Sequence, residues 1–478
     1  MGRIFLRLMH YHLIGICGTA MASLAGMLQA RGHRVTGSDE SVYPPMSTML
    51  ESLGIPVMQG YKAEHLAPAP DFVIIGNAIP RGNLEVEETL NRKLRYRSQA
   101  ETVKEEFIRG RRSLVVAGTH GKTTTTSIAA WVMDQGGLDP TFLVGGVVQN
   151  FDASFRVTES DFFLIEGDEY DTAYFDKGPK FLHYQAKTCI LTSVEFDHAD
   201  IYRDLPHYES SFRSLLTLMP QALGHLVVCS AYPNAVALAS ACKAKVTTYQ
   251  AKEGAPSDYT PRALRFGPDG ARFEVIEHKE SRGEVLLTLS GAHNVENALG
   301  VYAAARGLGL SHEEIKAGFA SFQGVKRRQE VRAEVGGVLV IDDFAHHPTA
   351  VRETISAIRA RYPERRLWAV FEPRSNTSRR NIHQEEYAKS FPGAARVSLK
   401  VPEKHDKVPT GEELDVAKLV RDIEATGIEA EGDVSVEGLV QKVAAGAKSG
   451  DCILVMSNGA FGGFIEKLLA ALHSRGPA

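Results

Sequence analysis

The chain has 478 residues, of which 44% are hydrophobic and 23% charged, a globular composition at a length that predicts two to four domains. The formal charge is −4, from 54 Lys and Arg against 58 Asp and Glu. This near balance argues against a protein that binds nucleic acid or a membrane surface. Five scattered cysteines without a CxxC pair predict free thiols in a reducing compartment.

The N-terminal stretch looks like neither a secretory signal nor a membrane anchor. Arg7, His10 and His12 interrupt its apolar residues, and no segment of the sequence has 18 consecutive apolar residues. The sequence therefore predicts a cytoplasmic protein without stable membrane association.

Residues 12–39 follow the pattern of strand, glycine turn, helix, strand and acidic residue. Gly15 and Gly18 mark the turn, and Asp39 ends the second strand. This is the layout of a nucleotide-binding βαβ unit. Cys17 stands at a glycine position of the dinucleotide fingerprint, so an NAD-dependent oxidoreductase is an alternative that the pattern supports only weakly.

The strongest signal is AGTHGKTTTT at 117–126, directly after an apolar strand. Small residues there let backbone N–H groups face an anion, Lys122 can neutralise phosphates, and Thr123 or Thr124 can offer a hydroxyl to Mg²⁺. The loop is shorter than the usual GxxxxGK[ST] motif because Val116 occupies the place of the first glycine. A glycine-rich turn that caps a helix is the alternative, but the pattern favours a phosphate-binding loop.

Two polar clusters follow further predicted strands of the same part. EGDEYD at 166–171 ends one strand, and EFDH at 195–198 follows the next. Because the carboxyl ends of parallel strands meet at one edge of a sheet, the carboxylates are placed to hold magnesium beside bound phosphates. The pair Asp197–His198 is placed for a catalytic or metal-binding role. A solvated acidic loop is the alternative for any single carboxylate.

Polar motifs also occur later in the chain. Asn294 and Asn297 lie one helical turn apart, so both are placed to contact a purine or ribose, with an N-terminal helix cap at Asn294 as the alternative. The triplet KRR at 326–328 and the motif DDFAHHPT at 342–349 open the third part. No Cys or further His lies at zinc-like spacing from the paired histidines, so we do not predict a structural zinc site.

Strands and helices alternate along three successive parts of the chain. We predict an α/β protein with three domains, which are Rossmann-like over 1–110, P-loop ATPase-like over 111–324 and Rossmann-like over 325–478. The polar stretch 250–283 predicts a small antiparallel excursion.

The motifs GTHGKTT, EGDEYD, EFDH, GAHNVEN, VKRR and DDFAHHPT occur in this order in the Mur ligases, the ATP-dependent amide-bond ligases of peptidoglycan synthesis. The chain resembles this family over its whole length. The motifs HLIGICGTAM and DDFAHHPT resemble those of the family branch that acts on UDP-N-acetylmuramate. FEPRSNTS and VMSNGAFGG are similar to members that add the murein tripeptide L-alanyl-γ-D-glutamyl-meso-diaminopimelate, and addition of free L-alanine is the alternative.

The resemblance implies a role for each matching residue. The residues implied to act in catalysis are Lys122, Glu166 and His198. The residues implied to bind ATP are Gly118, Thr119, His120, Gly121, Lys122, Thr123, Thr124, Asn294, Asn297, Arg328 and Asp343. The implied Mg²⁺ ligands are Thr123, Glu166 and His198. The implied substrate-binding residues are Gly15, Gly18, Thr19, Asp39, Asn77, His346, Arg374, Ser375 and Asn376.

The chain departs from the family pattern at two places. Some members carry a carbamylated lysine after the DH pair, but residues 199–220 contain no lysine, so we predict none. Ser193 replaces an asparagine that often precedes the DH motif, so part of the ligand set of the second magnesium ion is not assigned.

The implied reaction has two steps. The lactyl carboxylate of UDP-N-acetylmuramate attacks the γ-phosphorus of ATP, and the peptide amine then attacks the resulting acyl phosphate. The sequence does not identify the base that deprotonates the amine, and His346 and His347 are only candidates. A nucleotide-binding module without catalysis is a further alternative.

Overall fold

The computed structural model describes residues 8–43, 46–402, 408–409 and 411–475. Its backbone falls into two compact units. The first comprises the chain up to 194 together with 206–248 and 300–318, and the second comprises 195–205, 249–299 and the chain from 319 onward. In the described part of the chain, no helix combines the length and the hydrophobicity that crossing a membrane requires.

The first unit begins with a parallel sheet. Its elements are β1 (His10–Ile14), α1 (Thr19–Ala30), β2 (Arg34–Asp39), α2 (Met46–Ser52), β3 (Val57–Gln59), a 3₁₀ helix (Ala63–Leu66), β4 (Phe72–Ile75), α3 (Leu84–Asn91), β5 (Tyr96–Ser98), α4 (Gln99–Val103) and a π-helical turn (Lys104–Ile108). The strand order is β3-β2-β1-β4-β5, and every pair is parallel. The order reverses at β1, so the glycine turn that follows β1 lies at the switch point where such sheets bind ligands.

A second sheet of the first unit follows. Its elements are β6 (Arg112–Ala117), α5 (Lys122–Gln135), β7 (Thr141–Val148), β8 (Ala153–Arg156), β9 (Phe162–Gly167), β10 (Asp171–Ala173), β11 (Asp176–Pro179), a 3₁₀ helix (Lys180–His183), β12 (Thr188–Leu191), α6 (Leu205–Thr217), β13 (His225–Cys229), α7 (Pro233–Ala239) and β14 (Lys245–Tyr249). The order is β14-β13-β12-β6-β9-β7-β8, parallel from β13 to β7, with β8 antiparallel. The central strands β6, β9 and β12 contain continuous apolar runs at 114–117, 162–165 and 189–191, because both faces of the sheet are buried there.

The second unit contains a small antiparallel element. It consists of β15 (Tyr259–Gly267), β16 (Gly270–Glu277) and β17 (Glu280–Leu287), which confirms the predicted antiparallel excursion. Two helices follow in the chain, α8 (Ala292–Leu308) and α9 (His312–Ser321), of which residues 300–318 belong to the first unit.

The C-terminal sheet completes the second unit. Its elements are β18 (Glu330–Val335), β19 (Val338–Asp343), α10 (Pro348–Arg361), β20 (Arg366–Phe371), a 3₁₀ helix (Asn381–His383), α11 (Gln384–Ala388), β21 (Arg396–Lys400), α12 (Val416–Glu424), β22 (Glu429–Asp433), α13 (Val436–Gly446), β23 (Asp451–Met456), a 3₁₀ helix (Phe461–Gly463) and α14 (Phe464–Ser474). The order is β18-β19-β23-β20-β21-β22, with only β18 antiparallel. Along β19, Leu339 and Ile341 enter one apolar cluster and Val338 and Val340 the other, so helices cover both faces.

Candidate active site

The loop between β6 and α5 turns at two glycines with positive φ, Gly118 (131°) and Gly121 (79°). A Cβ on Gly118 would lie 2.8 Å from the carbonyl oxygen of Ser193 and would also meet Thr192, so only glycine fits there. Helix α5 begins at Lys122 and has 14 residues. The loop therefore places the positive end of a helix dipole at the carboxyl edge of the sheet, where it favours an anion.

Ser193 holds this loop in shape. The backbone N–H of Thr119 donates to its carbonyl oxygen at 2.8 Å, and that of His120 donates to its Oγ at 2.9 Å. Thr192 Oγ1 donates to the carbonyl of His120 at 2.6 Å. The N–H groups of Thr119 and His120 are therefore used within the protein, whereas we predicted that N–H groups of this loop face an anion. Ser193 thus stabilises the phosphate loop, a role that the sequence did not predict.

Lys122 has three acceptors within reach. Its Nζ donates to the carbonyl oxygens of Gly118 (2.6 Å) and Thr119 (3.2 Å) and to Oε1 of Glu169 (2.9 Å). Burial lowers the pKa of Lys122, but Glu169 and two further carboxylates outweigh it, and the net pKa lies above the usual lysine value. The side chain is therefore an ammonium at neutral pH, as binding a phosphate requires.

Glu166 lies beside Thr123. Its Oε2 accepts a hydrogen bond from Thr123 Oγ1 at 3.1 Å, and its Oε1 accepts one from the backbone N–H of Gly145 at 2.6 Å. A carboxylate and a hydroxyl oxygen side by side are hard oxygen donors of the kind that Mg²⁺ takes. The donor set present here therefore fits a magnesium ion at the start of α5.

The rest of the acidic loop binds cations of the protein itself. Asp168 Oδ2 lies 2.5 Å from Lys180 Nζ, and although burial raises the pKa of Asp168, Lys180 outweighs it and the net pKa is lowered. Glu169 is buried, and Tyr208 of α6 donates to its Oε1 at 2.7 Å. Tyr208 Oη also lies 3.2 Å from Thr119 Oγ1. Sequence reasoning missed Lys180 and Tyr208, since a buried helix position marks Tyr208 only as a core residue.

The charges of this cluster nearly cancel. Three carboxylates (Glu166, Asp168 and Glu169) face two ammonium groups (Lys122 and Lys180), which leaves one net negative charge. A bare triphosphate would meet no excess of positive charge here. A nucleotide that brings a divalent cation fits the cluster, because the metal offsets the added phosphate charge.

In the N-terminal sheet, the end of β2 holds the glycine turn. The N–H of Gly15 donates to the Ser38 carbonyl at 2.8 Å, and the N–H of Cys17 donates to Asp39 Oδ2 at 2.8 Å. Asp39 Oδ1 accepts from Ser41 N–H at 3.0 Å. Asp39, predicted to bind substrate, therefore supports the glycine turn through Oδ2 and its own following loop through Oδ1.

The other predicted residues of this sheet lie at the same edge. Gly18 is the N-cap residue of α1, Thr19 opens that helix, and Asn77 is exposed after β4. A surface cavity of about 270 Å³ opens near the end of β2, where Glu40 follows Asp39. Its lining residues are Glu40, Gly60, Tyr61, Gly82, Asn83 and Leu84.

A buried polar network lies within this sheet. Glu85 of α3 is fully buried, accepts a hydrogen bond from Ser38 Oγ at 2.5 Å, and lies 2.7 Å from His65 Nδ1 and 3.2 Å from His12 Nε2. Burial raises the pKa of Glu85, but hydrogen bonds from these three residues outweigh it, so the net pKa is lowered. The network thereby ties α3 to the end of β2, whose carbonyl holds the glycine turn.

In the second unit, Asp197 and His198 lie in a strained turn. His198 has φ of 55°, which non-glycine residues rarely adopt, and its N–H donates to Asp197 Oδ1 at 2.7 Å. Burial raises the pKa of Asp197, but His198, His346 and His347 outweigh it and hold the pKa well below the usual range. An ionised carboxylate among three histidines is therefore built into this part of the chain.

The predicted peptide-binding loop lies against the same turn. Asn376 Nδ2 donates to Asp200 Oδ2 at 3.0 Å, and Ala199 N–H donates to Thr377 Oγ1 at 3.4 Å. Arg380 donates to the carbonyl oxygen of Ala199 at 3.3 Å. The structure thus brings the FEPRSNTS loop and the DH motif together, although they are far apart in sequence.

Arg374 and Ser375 occupy the start of that loop. Arg374 is exposed, and its guanidinium lies against Gly459, where any Cβ would collide with it. Ser375 Oγ lies 2.9 Å from Ser378 Oγ and accepts the Ser378 N–H at 3.0 Å. Ser375 therefore stabilises the turn, while Arg374 keeps an exposed guanidinium.

The predicted nucleotide-binding asparagines are buried at the start of α8. Asn294 lies inside the first turn of that helix, so the alternative of an N-cap at Asn294 is wrong. Its Nδ2 donates to the Ser290 carbonyl at 2.8 Å, and Asn297 Nδ2 donates to Asn294 Oδ1 at 3.4 Å.

Asp343 accepts the backbone N–H groups of Gln329 and Ala345, both at 2.8 Å, so its carboxylate shapes its own segment. Burial raises its pKa. Arg328 lies over the Phe344 ring at 4.6 Å.

The two histidines that follow differ in role. His347 caps α10, where its Nδ1 accepts the Thr349 N–H at 3.3 Å. His346 Nδ1 lies 3.1 Å from the Phe344 carbonyl oxygen, and burial lowers its pKa. His347 of the pair thus stabilises the start of a helix.

Comparison with known proteins defines the class. Residues 10–109 match the model of the Mur ligase family catalytic domain, 116–305 that of the Mur ligase middle domain, and 327–459 that of the Mur ligase glutamate ligase domain. The chain belongs to the Mur ligase family, whose members are ATP-dependent ligases. This membership confirms the predicted family and the three successive α/β domains, and it shows that the oxidoreductase alternative is wrong.

Individual relatives are similar over nearly the whole chain. The sequence is 42% identical to the UDP-N-acetylmuramate–L-alanyl-γ-D-glutamyl-meso-2,6-diaminoheptandioate ligase of Escherichia coli K12, over 98% of this chain and 100% of that protein. A crystal structure of a murein peptide ligase from Psychrobacter arcticus is 36% identical with a TM-score of 0.72, covering 97% of this chain and 98% of that one. The UDP-N-acetylmuramate–alanine ligase of Thermotoga maritima shares the fold, at 21% identity and a TM-score of 0.79, over 98% and 100% of the two chains.

Proposed function

We propose that this protein joins L-alanyl-γ-D-glutamyl-meso-diaminopimelate to UDP-N-acetylmuramate in an ATP-dependent reaction. The observation that carries the proposal is the 42% identity, over 98% of the chain, to an E. coli ligase named for this reaction. The free cysteines and the consumption of ATP favour the cytoplasm as the place of action.

The first unit supplies the groups for binding MgATP. Lys122 would bind the phosphates as an ammonium, and Thr123 and Glu166 would hold Mg²⁺ between them. When bound, the metal offsets phosphate charge and makes the γ-phosphorus a better electrophile. In the second unit, His198 is the proposed ligand for a second magnesium ion.

The substrates then react in two balanced steps. The lactyl carboxylate attacks the γ-phosphorus, the bond to the bridging oxygen breaks, and ADP leaves. The α-amine of the peptide attacks the acyl carbon, loses a proton, and expels inorganic phosphate. Lys122 would stabilise the negative charge that shifts between phosphate oxygens in the transition state. Its ammonium group is already in place, so it does not have to reorient during the reaction.

Peptide recognition is assigned to the second unit. Arg374 offers an exposed guanidinium, which suits a carboxylate-rich peptide. Asn376 and Ser375 hold the loop that carries it.

The decisive experiment measures ADP release with UDP-N-acetylmuramate and a panel of amines. The panel contains L-alanine and the tripeptide, tetrapeptide and pentapeptide, and reactions without the sugar nucleotide are the control. We expect release with the tripeptide and little with L-alanine. Efficient turnover of L-alanine with the tripeptide ignored would replace this proposal with the L-alanine ligase alternative.

A further inference from the structure

A two-stranded hairpin, β10–β11, follows the acidic loop of the ATP site and forms a sheet of its own. Ala173 pairs with Asp176, so the turn consists of Tyr174 and Phe175. Two-residue hairpin turns usually carry Gly, Asn or Asp with positive φ, yet neither of these residues has positive φ. Turn chemistry therefore does not explain two aromatic side chains at the tip of the hairpin.

The aromatic tip contacts the N-terminal sheet. Phe175 lies edge-on to Tyr96 of β5, with ring centroids 5.2 Å apart, and Tyr174 lies edge-on to Phe175 at 5.1 Å. Burial raises the pKa of Tyr174, which packs against an apolar cluster of that sheet. The cluster consists of Ile14, Leu66, Val73, Ile75, Ile79 and Val86.

The root of the hairpin is tied to the ATP-site carboxylates. Lys180, the residue after β11, forms the 2.5 Å ion pair with Asp168, and its N–H donates to the Tyr170 carbonyl at 3.2 Å. The N–H of Phe181 donates to the Asp168 carbonyl at 3.3 Å. Both β10 and the 3₁₀ helix after β11 also pack against α4 of the N-terminal sheet.

The hairpin is cross-linked along its length. Lys177 pairs with Asp171 at 2.8 Å, and His183 Nε2 lies 2.8 Å from Asp176 Oδ2. An isolated two-stranded hairpin is only marginally stable in water, so this one depends on its attachment at both ends. Its tip therefore contacts the N-terminal sheet, while its root contacts Asp168.

We propose that this hairpin sets the position of the N-terminal sheet, whose predicted substrate-binding residues would hold UDP-N-acetylmuramate, relative to the ATP phosphates. The inference rests on the proposed function, in which a carboxylate held by one sheet must reach a phosphorus held beside the other. Reacting atoms must approach within about 3–3.5 Å, and a displacement of about 1 Å can cost about 10²-fold in rate. Tyr174 and Phe175 are positioning residues, because they act through the N-terminal sheet and not on the reacting atoms.

A second contact between the same two sheets offers a matched control. Ser23 of α1 forms a hydrogen bond with Ser154 of β8 at 3.0 Å. Neither residue is bonded to the acidic loop. Ser154→Ala therefore removes an inter-sheet contact and leaves the hairpin and the carboxylates untouched.

The test is a double-mutant cycle with Phe175→Ala and Tyr96→Ala. We expect kcat of ADP release at saturating substrates to fall at least about tenfold in each single variant, with no further loss in the double variant. The dissociation constants of UDP-N-acetylmuramate and of MgADP, each measured alone by calorimetry, should change less than about threefold, and Ser154→Ala should keep kcat within about twofold.

Three outcomes would overturn the inference. The first is an unchanged kcat in the single variants, and the second is additive losses of kcat in the double variant. The third is a normal kcat with UDP-N-acetylmuramate bound at least about tenfold more weakly, which would place the hairpin tip in the binding pocket itself. If Phe175→Ala does not fold, Phe175→Leu keeps the apolar volume and removes the ring, and the same kcat criterion applies.

A second experiment distinguishes failure of the proposed function from failure of the inference about the hairpin. If the wild type releases no ADP with any amine, the affinity for UDP-N-acetylmuramate is measured with and without MgADP. Coupling between the two ligands that Phe175→Ala abolishes would support a positioning hairpin, and coupling that survives would overturn it.

Discussion

Lys122 and Gly118 concentrate the chemistry of the candidate ATP site in two residues of one loop. Lys122 is an ammonium held by two loop carbonyls and Glu169, so its charge is in place before any ligand arrives. Gly118 allows the loop to pass within van der Waals distance of Ser193. Lys122 supplies positive charge and Gly118 allows the shape of the loop, so substitutions at the two positions should have different effects.

Lys122→Ala should lower kcat of ADP release by about 10²–10³-fold, because it removes a fixed positive charge from the transferring phosphoryl group. The circular dichroism spectrum should stay that of the wild type, since the side chain is partly exposed. The measurement is ADP release at saturating ATP. Lys418→Ala, which removes an exposed lysine of α12, is the matched control for the loss of one charge. Near-normal turnover of Lys122→Ala would contradict the assignment.

Gly118→Ala should weaken nucleotide binding and destabilise the loop, because the added Cβ meets Ser193 and Thr192 and φ of 131° strains any L-residue. Calorimetry of MgADP binding, together with the melting temperature, tests this. Gly267→Ala, where the added Cβ meets nothing within 4 Å, should leave both values unchanged. If both alanine variants bind MgADP equally well, the close approach to Ser193 does not matter for binding.

Among the elements, β1, β2 and α3 are joined by the buried carboxylate of Glu85. Its pKa is lowered in the folded protein, so its stabilising effect is present above the pKa of unfolded glutamate, about 4.3, and is lost as the pH falls through the lower folded value. Glu85→Gln should therefore reduce the free energy of unfolding by about 1–3 kcal/mol at neutral pH and by much less in acid. Urea unfolding at both pH values measures this.

The exposed Glu51 of α2 provides the control for the Glu85 prediction. Glu51→Gln changes charge equally but has no buried partner network to disturb, so its effect should be small at either pH. If Glu85→Gln lowers the free energy of unfolding equally at both pH values, the shape of the Glu85 side chain, and not its ionisation, stabilises the network.

In the first unit, the positive and negative charges beside the phosphate loop nearly balance, so we expect nucleotide binding there to require a divalent cation. Removal of Mg²⁺ with EDTA should abolish ADP release and weaken ATP binding in calorimetry, and added Mg²⁺ should restore both. Thr123→Val, which removes one proposed ligand and keeps the shape of the side chain, should raise the Mg²⁺ concentration needed for half-maximal rate. Full ATP affinity in EDTA would contradict the magnesium site.

Much of the fold could be predicted because strand residues buried on both faces form continuous apolar runs. The apolar runs at 338–341, 367–371 and 452–456 coincide with β19, β20 and β23. The glycine turn and the phosphate loop were recognisable because each needs small residues at fixed spacing after a strand. The individual roles of the site residues stay predictions that the proposed experiments test.

The partners of those residues could not be predicted, because they come from distant parts of the chain. Ser193 and Tyr208 support the phosphate loop through hydrogen bonds to His120 and Thr119 that no local sequence pattern predicts. Asp343 and Asp39 have carboxylates that a motif marks for ligands, yet tertiary packing engages them with backbone N–H groups.

The sequence by itself determined the family, the order of the sheets along the chain, and which loops carry charge and glycine. These are local properties of spacing and composition, readable without coordinates. Only the tertiary structure decided that Glu166 pairs with Thr123 and Glu169 with Lys122, and that an aromatic hairpin tip rests on the N-terminal sheet. The physical reason is that hydrogen bonds and burial depend on which segments meet in space, and that depends on how the whole chain packs.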